Sequence, residues 1–194
     1  MATETESVEL VGEKAVENVA RTALLAAVVG AFAYVSFPNP LAPSLPVTLQ
    51  VLGVFLAGIF LGPVWGGASM VLYLVAGAVG APIFSGGSAG VGMLLGYTGG
   101  YLLSYPLAAF LVGAVVHGGL DLRDPKSAGV VRLVAGMLVG TVVIYACGTL
   151  GFAIVQSVGL VEAFTLSALA FVPFEAVKIA AAVGIVHSDR IAAE

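Results

Sequence analysis

The chain has 194 residues, 60% of them hydrophobic and only 9% charged, with 7 Lys and Arg against 11 Asp and Glu. A soluble domain carries about 25% charged residues, so this composition excludes a soluble globular enzyme and a disordered chain, and the absence of a basic stripe excludes a nucleic-acid binder. From Thr22 to Leu120 there is no Asp, Glu, Lys or Arg at all, room for several crossings at roughly 20 apolar residues each.

Residues 1–20 form an acidic lead, with Glu4, Glu6, Glu9, Glu13 and Glu17 against Lys14. It lacks the basic start and short apolar core of a signal peptide. Val8, Val11, Val16 and Val19 recur at loose helical spacing, which predicts a short amphipathic helix along the membrane surface. Punctuation by Pro, Gly and charge then divides residues 21–188 into six apolar segments. The first runs from Arg21 to Phe37 and stops at Pro38, Pro40, Pro43 and Pro46. The second is Val47 to Leu61, followed by the turn Gly62-Pro63, and the third Val64 to Gly80, closed by Pro82 and the Gly-rich stretch Gly86 to Gly92. The second and third are short for full spans, so tilt or a locally thin bilayer is expected. The fourth runs from Leu94 to Val116, the fifth from Val130 to Gln156, and the sixth from Phe164 to Val186, leaving residues 189–194 as a tail.

The fold expected is therefore an all-α integral membrane protein with six transmembrane helices. Lys14, Arg21, Arg123, Lys126, Arg132 and Arg190 fall in the lead, in the loop after the fourth segment, or in the tail. By the positive-inside rule both termini and that loop are cytoplasmic. Pro38–Pro46, Ala81–Gly92 and Ser157–Glu162 then face outward. Small residues at four-residue spacing, namely Gly58 with Gly62, Gly136 with Gly140, and Ala23, Ala27 and Ala31, mark stripes where another helix can approach closely. Cys147, the one cysteine, reads as a small packing residue.

Two constellations carry chemistry. Glu175 and Lys178 are the only charges deep in an apolar segment, and their i, i+3 spacing puts them on one helix face. A charge at mid-membrane costs about 2.5–3.5 kcal/mol even on the insertion scale, and such residues are usually functional; the alternative is an ion pair that only orients its helix. Pro173 frees a backbone carbonyl nearby in this reading. The second constellation lies in the outer loops: Thr48 and Gln50 at the start of segment two, Phe84 and Ser85 in the flexible Ala81–Gly90 loop, and Tyr97 and Tyr101 opening segment four. Tyr97 and Tyr101, four residues apart, can share a helix face and line a pocket with Phe84, or can serve as interfacial anchors.

Enzymatic readings fail on partners. Gly86-Gly-Ser-Ala-Gly90 formally matches G-x-S-x-G, but His117 and His187 are predicted at the opposite face, so Ser88 has no base. No metal-ligand spacing occurs, and Lys126-Ser127 has no Gly-rich loop before it, so any ATP-driven transport would require another chain to bind the nucleotide.

With these residues in place, the sequence resembles the biotin-specific substrate-binding (S) components of energy-coupling-factor (ECF) transporters, the BioY family. The resemblance rests on Pro46-Val-Thr-Leu-Gln50 with Gly53, Ala57-Gly58 and Leu61-Gly62-Pro63; on Tyr73 and Gly77; on Ala81-Pro-Ile-Phe84 and the Gly-rich loop; on Gly96-x-Thr-Gly-Gly-Tyr101; and on Pro173-x-Glu175-x-x-Lys178. It covers roughly Ala23 to Val186. The resemblance implies a six-helix binding protein with biotin as bound ligand near the outer face and no cofactor of its own. It also implies partners in the bilayer and beneath it: a transmembrane T subunit and two cytoplasmic ABC-type ATPases. It makes Glu175, Lys178, Gln50, Thr48, Phe84, Ser85, Tyr97 and Tyr101 the expected ligand residues, and Ala23, Ala27 and Ala31 the expected contact with the T subunit. Glu175 stands where the family usually has Asp, Tyr97 where a proline is common, and the Gly-rich loop lacks the Arg that many relatives carry in or near it. An S component for a different vitamin and a stand-alone proton-coupled transporter using Glu175 are the competing readings.

Overall fold

The computed structural model describes residues 4–39 and 46–188; the expected tail with Arg190, and Pro40 and Pro43 of the first outer loop, lie outside the described residues. The acidic lead and the first apolar segment are one helix. Helix α1 (Glu4–Phe32) runs unbroken through both, so the boundary drawn between residues 20 and 21 has no counterpart in the backbone. Along α1 the inward face is Thr22, Ala26 and Val29, all buried, whereas Ala23, Ala27 and Ala31 are exposed. Glu17 and Arg21 pair at 2.6 Å on the exposed side. A two-residue ribbon, β1 (Ser36–Phe37) against β2 (Val47–Thr48), closes the loop after α1.

Helix α2 (Gln50–Ala78) carries expected segments two and three in one stretch, and its break is dictated by two residues. Gly62 adopts φ +74°, outside the helical region, and Pro63 cannot donate a hydrogen bond to the carbonyl of Ile59. The chain folds back on itself there. A side chain at Gly66 would lie 2.8 Å from the Ala57 carbonyl, and Gln50 reaches Tyr73 across the pair of rods (residues 50–61 and 63–78). The donor that Pro63 withholds comes from elsewhere: His117 Nε2 lies 2.9 Å from the Ile59 carbonyl oxygen. Its Nδ1 accepts the Arg123 backbone N–H at 3.1 Å, which fixes Nε2 as the protonated nitrogen. His117 is thus a fully enclosed structural residue.

After the Gly-rich loop comes a short helix, α3 (Val91–Leu95), then α4 (Gly99–His117), which starts later than expected because residues 96–98 form the turn between them. Helix α5 (Gly129–Gln156) buries Leu133, Met137, Gly140, Ile144 and Gly148 on one stripe. Gly136 and Gly140 sit against Val112 of α4, so this pair serves packing within the fold. Expected segment six is divided: α6 (Leu160–Ser167), a single 3-10 turn at Leu169–Phe171, and α7 (Val172–Val186). Pro173 lies in the first turn of α7, where a missing N–H interrupts nothing; the expectation that it frees a mid-helix carbonyl is corrected accordingly.

The core forms where α2, α4 and α5 meet, around Phe55, Tyr73, Val112, Met137 and Ile144, with α1 laid along α2. Among the described residues five helical stretches are long and apolar enough to cross a membrane: Gly12–Phe32, Gln50–Ala78, Gly99–His117, Pro125–Gln156 and Leu160–Val186. The difference from the six expected segments lies entirely in α2, where two of them form one folded stretch.

Candidate ligand-binding site

A cavity of about 270 Å³ opens between the start of α2, the Gly-rich loop, α4, α5 and the α6–α7 junction. Its volume is near the lower end of small-molecule sites, about 300–1,000 Å³. Thr48, Gln50, Phe84, Ser85, Tyr97, Tyr101 and Lys178 all line it, so residues far apart in sequence converge as expected.

The wall near α2 is a hydrogen-bonded relay. Thr48 Oγ1 donates to Gln50 Oε1 at 2.9 Å, Gln50 Nε2 donates to the Tyr73 hydroxyl at 2.6 Å, and Tyr73 donates to the Ile83 carbonyl at 3.0 Å. The relay ties the hairpin of α2 to the loop that covers the cavity, and it holds Gln50, 3% exposed, in one orientation. Phe84 is more buried than a wall residue requires. Its ring fills the space over Gly77, where any added Cβ would overlap it, and meets Tyr73 edge to face at 5.5 Å. It therefore anchors the loop as well as lining the cavity. From the other side the loop is held by Tyr34, whose hydroxyl donates to the Pro82 carbonyl.

Tyr101 donates to Ser167, whose hydroxyl in turn reaches the Ala163 carbonyl at 2.7 Å, linking α4 to α6. Tyr97 reaches the cavity by a different route from the one its spacing suggests. It sits in the turn before α4 rather than on the helix with Tyr101, is 42% exposed, and packs edge to face on Phe152. The two tyrosines share the cavity but not a helix face.

At the floor, Lys178 Nζ and Glu175 Oε1 are 2.8 Å apart, and both residues are 4% exposed. Glu175 stands in the first turn of α7, where the helix dipole favours negative charge. Only the lysine lines the cavity; Glu175 lies behind it. The second carboxylate oxygen, Glu175 Oε2, is buried and makes no close hydrogen bond, and the equally buried Tyr145 hydroxyl is the donor that faces this carboxylate. Buried polar groups are nearly always satisfied, and this loosely engaged phenol–carboxylate pair beside the cavity keeps capacity for a polar ligand group.

Tyr105, Tyr145 and Ser167 also line the cavity, and nothing in their spacing singled them out. The available signal was a tyrosine inside an apolar helix, since its hydroxyl needs a partner when buried. Ala23, Ala27 and Ala31 lie away from the cavity, on the outer face of α1.

The match to known proteins is consistent along the chain. The family model described as the BioY family covers residues 3–193. The chain belongs to the BioY family. A probable biotin transporter BioY of Pyrococcus horikoshii is 39% identical over 71% of this chain and 76% of its own length. The biotin transporter BioY of Rhodobacter capsulatus is also 39% identical, over 74% of this chain and 73% of its own. A crystal structure of the S-component for biotin from an ECF-type ABC transporter superposes with a TM-score of 0.76, covering 90% of each chain at 24% identity. That likeness establishes the fold of this BioY-family chain.

Proposed function

We propose that this chain is the biotin-binding S component of an ECF-type vitamin transporter. The reading includes six membrane passes, the α2 hairpin supplying two of them, with both termini cytoplasmic. A T subunit and two ABC-type ATPases supply the energy, and the chain itself binds and carries rather than catalyses. The exposed alanines Ala23, Ala27 and Ala31, turned away from the core, form the face on which the T subunit packs.

The observation that carries this reading is the buried Glu175–Lys178 pair, with Lys178 at the floor of a cavity that also gathers Gln50, Tyr101 and Tyr145 from three separate helices. Biotin's ureido group offers two N–H donors and a carbonyl acceptor. Its carbonyl complements the Lys178 ammonium that faces the cavity, and its N–H groups the Glu175 carboxylate behind it once the lysine side chain turns aside. The thiophane ring and valeryl chain then lie along Tyr101 and Tyr97 toward the mouth. Buried among these side chains, each unmade hydrogen bond costs about 1–3 kcal/mol, which favours a ligand whose donors and acceptors match.

Calorimetry on detergent-purified protein, with thiamine and riboflavin as comparison ligands, tests it. Stoichiometric biotin binding, absent for the other two, is expected. Binding of thiamine or riboflavin in place of biotin moves the substrate to another vitamin. Uptake that collapses with an uncoupler in cells lacking partner ATPases points to the proton-coupled alternative.

A further inference from the structure

The cavity is largely apolar, and the polar groups it does present carry almost no charge. Among the described residues Lys178 is the only charged side chain that lines it, and its ammonium is already paired with Glu175 at 2.8 Å. The remaining polar groups are neutral hydroxyls and one amide. The sequence holds no Lys or Arg from Thr22 to Leu120 or from Leu133 to Val177, so the other elements that line the cavity add no cation. Arg123 and Arg132 are placed at the other end of α4, beside His117 and Gly118.

The cavity is also graded in exposure. Gln50, Tyr105 and Lys178 at the floor are buried, whereas Pro46, Gly86 and Tyr97 at the mouth are exposed. A carboxylate taken into the floor would meet a lysine already neutralised, with the like charge of Glu175 directly behind it. Burying an uncompensated charge there is strongly unfavourable. At the mouth a carboxylate keeps its water and meets no counter-charge.

From this we infer that the chain does not recognise its ligand's carboxylate by charge, and that it binds carboxyl-substituted biotin derivatives, such as biotinamide and biotinyl-lysine, as well as the free acid. The inference rests on the proposed orientation, ureido group at the floor and acid at the mouth. Specificity is then set entirely by the bicyclic ring system, and the ligand class widens from the free acid to its amides.

Wild-type protein titrated with biotin, biotinamide and biotinyl-lysine decides the matter without any variant. Dissociation constants within about threefold of one another are expected, against a loss of tenfold or more for the amides if a cation held the acid. The latter result overturns the inference while leaving biotin binding intact. Absence of biotin binding overturns the reading beneath it, so the two failures are told apart. A second measurement uses Lys178→Ala in folded, monodisperse protein. Equal factors of loss for biotin and biotinamide are expected; a loss confined to the free acid would place the carboxylate on Lys178 and sink the proposal.

Discussion

Two interruptions in apolar helices follow opposite rules. At Gly62-Pro63 the missing donor is replaced by the protein itself, through His117 on α4, and the turn is closed by close packing of the rods of α2. At the α6–α7 junction the chain also leaves the helix near a proline, but there the buried Tyr145 hydroxyl and Glu175 carboxylate face each other without a close hydrogen bond to Glu175 Oε2. The first break completes its own hydrogen bonds and is architecture. The second leaves its polar groups loosely engaged beside a cavity, where the ligand is proposed to bind. A proline in a membrane helix therefore says little about function until the fate of the neighbouring polar groups is known.

The largest effect expected from breaking this contrast is at the second interruption. Lys178→Ala leaves a buried carboxylate uncompensated, about 3–5 kcal/mol, and is expected to weaken biotin binding roughly a hundredfold or more while leaving it measurable; calorimetry together with elution profile in detergent separates loss of ligand from loss of fold. At the first interruption, His117→Ala strands the Ile59 carbonyl and is expected to lower stability by about 1–3 kcal/mol while biotin affinity stays within about threefold. Thermal unfolding in detergent and calorimetry read the two halves of that prediction. If affinity falls as far as stability, the two breaks are not independent and the distinction fails.

Gly77→Ala sharpens the boundary between them. The added methyl overlaps the Phe84 ring, an overpacking worth about 1–3 kcal/mol, and because Phe84 anchors the covering loop, binding and stability should fall together. The smallest effect is at the exposed end of α1. Arg21→Ala removes a surface pair with Glu17 and should change stability by less than about 0.5 kcal/mol, below the scatter of the thermal scan.

The apolar segments were legible because membrane spans announce themselves by runs without charge, and Glu175 with Lys178 stood out for the same reason. The hidden parts were those decided by contact rather than composition. Nothing in the spacing of Tyr97 and Tyr101 reveals that a turn at residues 96–98 separates them. Tyr105 and Tyr145 are embedded in sequences as apolar as any lipid-facing stretch, and only the packing of α4 against α5 turns them to the cavity. The fold-back of α2 was half-visible: Gly62-Pro63 marked a turn, but the donor that seals it comes from a histidine on another helix, 58 positions away from Ile59.

The hairpin of α2 also sets the smallest unit that can be buried. A rod over residues 50–61 is about 18 Å long at 1.5 Å per residue, well short of the roughly 30 Å hydrocarbon core. Alone it would carry the Gln50 amide without the Tyr73 hydroxyl that it bonds to in the fold, and an unpaired amide is costly in an apolar surround. The pair of rods, rather than either one, is the element that closes its own polar groups.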